Sequence, residues 1–219
     1  MSAYQVILAL HIFSGFTALF IGLVPILSKK GGRLHKRTGM IYFWAMFGVF
    51  FTSSLMFLFK PENLLFLFLV GVFSFYQTFS GRRILKYKEP NMHMAAFDKM
   101  IAALVSTSGL IMIPLSAYSV FNDQVGQGIV YLIFGTLLTS HGISDFLRFR
   151  NIQNQNSKFW LRLHITRMGG SYIATFTAFV VVNNTFLPPL IAWLGPGVIG
   201  GFIIAMVLKN ITSSRLKSN

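Results

Sequence analysis

Apolar residues are grouped along the chain in seven segments, each close to the length of a membrane-spanning helix. A hydrocarbon core about 30 Å thick needs about 20 helical residues. The predicted spans are Ala3–Leu27, Met40–Phe59, Leu64–Ser80, Ala95–Phe121, Ile129–Leu147, Phe159–Val182 and Leu190–Leu208. Because the connections are short, neighbouring helices should be antiparallel. The pattern predicts an all-α fold, a single transmembrane bundle of seven helices over residues 1–219.

The composition supports this class. Hydrophobic residues make up 54% of the 219 residues and charged residues 11%, with a mean hydropathy of +0.63. A soluble domain averages about 25% charged residues. The chain has no cysteine, which excludes disulfides, thiolate metal sites, iron–sulfur clusters and covalently attached c-type haem.

The positions of the basic residues predict an orientation. Short loops rich in Lys and Arg stay on the cytoplasmic side, and here the odd-numbered loops and the C-terminal tail are basic. Their cations are Lys29, Lys30, Arg33, Lys36, Arg37, Arg82, Arg83, Lys86, Lys88, Arg148, Arg150, Lys158, Lys209, Arg215 and Lys217. We expect an N-terminus outside, a C-terminus in the cytoplasm and a location in the cytoplasmic (inner) membrane. The net charge of +14 is then explained by the orientation of the protein in the membrane. We expect the lipid bilayer as a partner and no binding of nucleic acid.

Four of the five histidines are predicted to collect in the cytoplasmic half of the bilayer. His141 and His164 lie about 8 to 9 Å inside the fifth and sixth spans, at 1.5 Å per helical residue. His35 and His93 immediately precede the second and fourth spans, and His11 lies alone in the outer half of the first. Ionisable groups within membrane spans are expensive unless they face the bundle interior, so each one is a candidate site residue.

Helical spacing relates several of these residues. His141 and Asp145 are four residues apart and share a helix face. On the sixth span a polar stripe is expected to point inward. It consists of His164, Arg167, Met168, Ser171 and Thr175. Asp98 lies just inside the fourth span, at a depth similar to that of Arg167.

Imidazole and carboxylate are ligands for transition metals, and two facing histidines can be the axial ligands of a b-type haem. A divalent metal site would draw on His141, Asp145, His164, His93 and Asp98, and His35 and His11 extend the candidates for a cofactor. His141 and His164 are the leading ligands, with Asp145 as a supporting partner. Met168 is a lesser haem-ligand candidate.

Purely structural roles for the same residues are the alternative to a cofactor or metal site. His35 and His93 lie among basic residues and are equally suited to an interfacial role. Asp145 near Arg148 and Asp98 near Lys99 are candidate ion pairs at helix ends, and His141 and His164 are candidates for interhelical hydrogen bonds. His11 shares its face with small residues that permit close helix packing. These residues are Gly15, Ala18 and Gly22.

Part of the chain resembles a known family. The segment His35-Lys-Arg-Thr-Gly39-Met-Ile-Tyr42, together with the helix of His11, Gly15 and Gly22 and with His93, is similar to an uncharacterised family of predicted bacterial multi-pass membrane proteins, one of the domain-of-unknown-function families. The similarity covers roughly the first 110 residues, and His-x3-Gly-x2-Tyr is its most specific part. That family typically has an Arg-Trp-Met-like stretch after its later histidine, whereas Met94-Ala95-Ala96-Phe97-Asp98 follows His93. The resemblance implies a membrane protein with His11, His35 and His93 as site residues, without a named reaction.

Three functions follow as hypotheses. The first is a haem- or metal-binding membrane protein in electron transfer. The second is a transporter or accessory protein without a cofactor, in which the same polar groups form a proton or substrate path. The third is a metal-dependent membrane hydrolase. The sequence does not identify a substrate or a redox partner.

Overall fold

Seven α-helices account for most of the protein in the computed structural model, which describes residues 2–88, 95–150 and 159–213. They are α1 (Ala3–Leu27), α2 (Arg33–Phe59), α3 (Pro61–Arg83), α4 (Ala96–Phe121), α5 (Val125–Arg150), α6 (Phe159–Val182) and α7 (Pro189–Ser213). A short 3-10 helix, Ile84–Lys88, continues α3. All seven α-helices are long and apolar enough to cross a membrane. The predicted all-α bundle of seven transmembrane helices is therefore confirmed.

Several helices extend past the predicted spans because polar and cationic residues continue a helix beyond the apolar core. The largest difference is in α2, which begins at Arg33 rather than at Met40. Gly31 has a φ of 75° and Gly32 is the N-cap, so the turn between α1 and α2 is complete before Arg33. His35 consequently lies in the first turn of a helix, not ahead of it.

Helix α3 occupies the centre of the packing. It contacts α2 on one side and α6 on the other, while α1 packs on α2, α4 on α5, and α7 on α6. The main apolar core joins α3 to the α4–α5 pair through side chains that include Phe73, Met112 and Leu138. A smaller core between α1 and α2 contains Ala18, Tyr42 and Met46 and is contacted by α6.

The predicted polar stripe of α6 faces the bundle interior. Arg167 is 1% exposed and Ser171 is fully buried, whereas Phe176 and Phe179 lie on the exposed surface of the same helix. The inward orientation of this stripe is confirmed. It brings the polar residues of α6 to α2, α3 and α5.

Candidate functional site

His35 is held against the end of α1. Its Nδ1 atom lies 3.0 Å from the main-chain oxygen of Pro25. Because a carbonyl oxygen only accepts hydrogen bonds, Nδ1 carries the proton in this contact, and Nε2 of the neutral ring keeps its lone pair. The last carbonyl oxygens of a helix have no partner within it. Lys30 also donates to the Pro25 oxygen, at 2.9 Å, and partial burial lowers the pKa of Lys30.

His164 is held in the same way at the end of α3. Its Nδ1 atom donates to the main-chain oxygen of Gly81 at 2.7 Å, so in the neutral ring its Nε2 atom also keeps a lone pair. A glycine is needed at this point because a Cβ atom on Gly81 would lie 2.8 Å from the Cβ of Arg167. The close approach of α3 to α6 therefore places the carbonyl oxygen that orients His164.

The two rings contact one another. The ring centres of His35 and His164 are 6.4 Å apart, with an angle of 66° between their planes. Metal–nitrogen bonds of imidazole are about 2 Å long, so two rings on opposite sides of one metal ion have centres about 6 Å apart. The described structure thus pairs His164 with His35.

Helices α2 and α6 run parallel with a constant register around this pair. Tyr42 contacts Ser171 and Met46 contacts Thr175, and both pairs are 129 positions apart in sequence. The same offset relates His35 to His164. The two imidazoles therefore lie in the same register as the other side-chain contacts between α2 and α6.

One position in this interface is open. Gly39 follows His35 by one turn of α2, and a Cβ atom there would meet nothing within 4 Å. Tyr42 and Met46, further along the same stripe, are each 2% exposed. Gly39 itself is half-buried, so the open space lies beside the stripe, one helical turn from His35.

A cluster of hydroxyl groups lies two turns deeper. Tyr42 Oη is 2.7 Å from Ser171 Oγ and 3.4 Å from Thr175 Oγ1, and Thr78 Oγ1 also contacts Ser171 Oγ. Tyr42, Thr78 and Ser171 are buried. Thr78 and Thr175 also donate to main-chain oxygens of their own helices. The contacts between the hydroxyls join α2, α3 and α6.

An ion pair is buried between α5 and α6. Arg167 Nη2 lies 2.7 Å from Asp145 Oδ1, and both side chains are almost fully buried. Tyr76 Oη donates to the other carboxylate oxygen at 2.6 Å, and Gln77 Oε1 accepts from Arg167 Nη1 at 3.1 Å. Asp145 was expected to support His141 or to pair with Arg148. Arg167 and Tyr76 occupy its two oxygens instead.

His141 has separate surroundings. Its ring stacks on Phe73 with centres 6.0 Å apart, and its main-chain oxygen accepts from Arg167 at 3.4 Å. Its Nδ1 atom is buried and has no hydrogen-bond partner among the described residues. Among the described contacts, His164 pairs with His35, and none joins His141 to His164.

Asp98 connects α4 to the end of α3. Its carboxylate accepts hydrogen bonds from Arg83 and Tyr87 and from the main-chain nitrogen of Ala95. The anticipated ion pair of Asp98 is present, with Arg83 rather than Lys99 as the partner. These donors surround the carboxylate, which leaves it poorly suited to the metal ligation considered from the sequence.

His11 is not part of the pair. His11 Nδ1 lies 2.9 Å from Thr52 Oγ1, and this contact joins α1 to α2. His93 lies outside the described residues. Within residues 2–88, 95–150 and 159–213, no group of three or more His, Asp or Glu side chains is arranged to hold a metal ion.

The sequence pattern did not single out the polar residues of α3. Tyr76, Gln77 and Thr78 supply partners for Asp145, Arg167 and Ser171. The available signal was three consecutive polar residues within a predicted span. Comparisons with models of known protein families, with curated protein sequences and with solved structures found no match to this chain.

Proposed function

We propose that the protein binds a b-type haem through His35 and His164 and carries electrons in the membrane. The observation that supports this most directly is the pair of imidazoles with ring centres 6.4 Å apart. Both rings use Nδ1 on a main-chain oxygen, which leaves Nε2 of each neutral ring free to bind a ligand.

The ligand set favours haem over a mononuclear metal site. Two histidine ligands are enough to hold a b-type haem, whereas a catalytic zinc site usually has three protein ligands. The described ranges contain no such group of three, so the hydrolase hypothesis gains no support there. A divalent metal held by the same two histidines is the alternative cofactor.

When bound, haem would supply one-electron chemistry. The residues of this chain would orient the rings and place apolar side chains beside them. The oxygens of Pro25 and Gly81 hold the tautomer and orientation of each imidazole. Beside His164, the bundle end is closed by a buried apolar cluster of Ile84, Tyr87 and Leu163. A dry surrounding lowers the dielectric constant and strengthens the effect of nearby charges on a cofactor.

The location follows from the proposed orientation. The α1–α2 connection lies at the cytoplasmic face, and the protein belongs to the cytoplasmic membrane. His35, Gly39 and Tyr42 form the most specific part of the family resemblance, and all three lie on the α2 stripe beside His164. This supports a common role for the motif in forming the cofactor site.

The test is an absorption spectrum with metal analysis of the detergent-purified protein, expressed with ample haem. We expect a Soret band in the wild type that is lost in His35→Ala and in His164→Ala. The matched control is His141→Ala, which removes a partly buried imidazole outside the pair and should retain the band. Size-exclusion chromatography establishes that each variant is folded.

Two outcomes would contradict the proposal. The first is a colourless, metal-free wild type. The second is a Soret band that survives both substitutions in the pair. The wild type could instead hold stoichiometric metal without a haem spectrum and lose it in the same two variants. That result would show that the pair binds a divalent ion rather than haem.

A transporter without a cofactor is the second candidate, supported by the buried Arg167–Asp145 pair. Intramembrane ion pairs mark proton and substrate paths in pumps and transporters. Under this hypothesis, reconstituted vesicles carry a flux that Asp145→Asn abolishes, and the His35→Ala variant remains colourless like the wild type.

A further inference from the structure

A cationic face at one end of α2 is not used by the proposed cofactor site. Arg33, Lys36 and Arg37 lie within its first two turns and are exposed. Residues three and four apart share a helix face, so the three cations project together. None of them forms an ion pair within the described residues. This end of the bundle therefore carries uncompensated positive charge at the level where headgroups lie.

The acidic residues described nearby do not neutralise this face. Asp98 is paired with Arg83, and Asp145 with Arg167. The charge complement must come from outside the described chain. In a membrane, clusters of Lys and Arg next to a spanning helix attract anionic lipid headgroups.

An aromatic surface continues this face into the bilayer. Trp44 lies two turns beyond Arg37 and is 59% exposed. Phe43 and Phe47 contact the Trp44 ring on either side in edge-to-face arrangements, with ring centres 5.6 and 5.8 Å away. The three rings form a wall against which an acyl chain can lie.

A fourth cation is held above this wall by α3. The guanidinium of Arg82 lies 4.6 Å from the ring centre of Phe43, and the residue is exposed. Lys36 precedes Phe43 by two helical turns and shares its face. Cations from two helices thus stand at the top of one aromatic surface.

We propose that this face binds an anionic phospholipid, with its phosphate at Arg33, Lys36 and Arg82 and an acyl chain along Trp44. An acidic soluble partner would match the charges, but it would not cover the exposed aromatic wall at membrane depth. The combination of cations followed by apolar rings matches a molecule with an anionic headgroup and a hydrocarbon tail. The proposal does not depend on the cofactor.

Tryptophan fluorescence provides the test. The chain has three tryptophans, and Trp160→Phe with Trp193→Phe leaves Trp44 as the only one. This protein is reconstituted into phosphatidylcholine vesicles that contain either brominated phosphatidylglycerol or brominated phosphatidylcholine at equal fractions. Bromine quenches tryptophan only by contact. We expect the anionic lipid to bind at least about fivefold more tightly, the contribution of one cation near a membrane surface.

Charge variants of the same protein separate a built site from general surface attraction. Arg33→Gln/Lys36→Gln/Arg82→Gln should remove the preference. The control Lys29→Gln/Arg148→Gln/Lys209→Gln removes three exposed cations outside this face and should retain it. Equal quenching by the two lipids would overturn the proposal and favour an acidic protein as the partner. A preference lost equally in both triple variants would also overturn it, because only the overall surface charge would matter.

Discussion

His35 and His164 each use their two ring nitrogens differently. The Nδ1 atoms satisfy carbonyl oxygens at the ends of α1 and α3, a purely structural contribution. The Nε2 atoms are left for a ligand. A cofactor site and a purely structural role would both show these Nδ1 contacts. The space around the rings therefore distinguishes a cofactor site from two helix caps.

Filling that space should separate the two interpretations. Gly39→Leu places a side chain beside His35 where the bare chain has nothing within 4 Å. If haem occupies this space, the Soret band should be lost while the helical fold and thermal stability are retained, since leucine favours helix over glycine. The measurement is the haem-to-protein ratio of the purified variant.

The matched control is Gly15→Leu, because Gly15 also follows a histidine by four residues and also has nothing within 4 Å of its Cβ position. It lies in α1, away from the pair. Equal haem content in Gly39→Leu and the wild type would show that the opening is not part of the cofactor site.

The buried ion pair gives a second prediction at this scale. Asp145→Leu leaves Arg167 charged and unpaired in the interior, and removing one partner of a buried pair typically destabilises a protein by about 3–5 kcal/mol. The double variant Asp145→Leu/Arg167→Leu removes both charges and should be more stable than the single variant. Equilibrium unfolding in mixed detergent micelles measures both. A double variant that is at least as unstable as Asp145→Leu would contradict this account.

Sequence reasoning identified these residues more successfully than it identified their partners. Asp145 shares a face with His141, four residues away, yet its oxygens bind Arg167 and Tyr76. Spacing within one helix shows which side chains are neighbours on that helix. It contains no information about which helix packs opposite, and the pairing of His35 with His164 depended on that packing.

At the scale of helices, the contact between α3 and α6 sets the position of His164. Gly81→Ala would place a methyl group 2.8 Å from the Cβ of Arg167 and 3.1 Å from the main-chain nitrogen of Met168. Backbone cannot yield as a flexible side chain does. We expect overpacking to lower the free energy of unfolding by about 1–3 kcal/mol. If the histidine pair holds haem, haem retention should also fall because the orienting carbonyl moves.

The control for this substitution is Gly126→Ala in the first turn of α5, where the added Cβ meets nothing within 4 Å. It should be neutral or stabilising by up to about 1 kcal/mol, the difference between alanine and glycine in a helix. Unfolding of the two variants in the same micelles provides the comparison. Equal stabilities would show that α3 and α6 have freedom to separate.

The ends of a helix were predictable where the helix coincides with the apolar segment of the sequence. Helix α6, for example, begins and ends at the predicted residues. The ends were not predictable in α2, whose first turns are cationic. Hydropathy measures the part of a helix that lies in hydrocarbon, whereas hydrogen bonding continues into the headgroup region. For this reason His35 lies inside α2 and not ahead of it.

For the whole molecule, seven spanning helices require the two ends of the chain to lie on opposite sides of the membrane. The bilayer enforces this architecture, because each helix satisfies its own backbone and the apolar surface needs no water-soluble covering. The seven-helix class was therefore predictable from hydropathy alone. The central position of α3 was not, since it depends on side-chain packing between distant segments.

The orientation can be measured directly because the chain has no cysteine. Lys29→Cys and Thr185→Cys place single thiols at exposed positions in the α1–α2 and α6–α7 connections. Basic short loops stay in the cytoplasm, so a membrane-impermeant maleimide should label Thr185→Cys in intact cells and Lys29→Cys only after permeabilisation. The reverse labelling would invert the proposed topology and place the His35–His164 pair in the outer half of the membrane, where the electron donor would have to be extracytoplasmic.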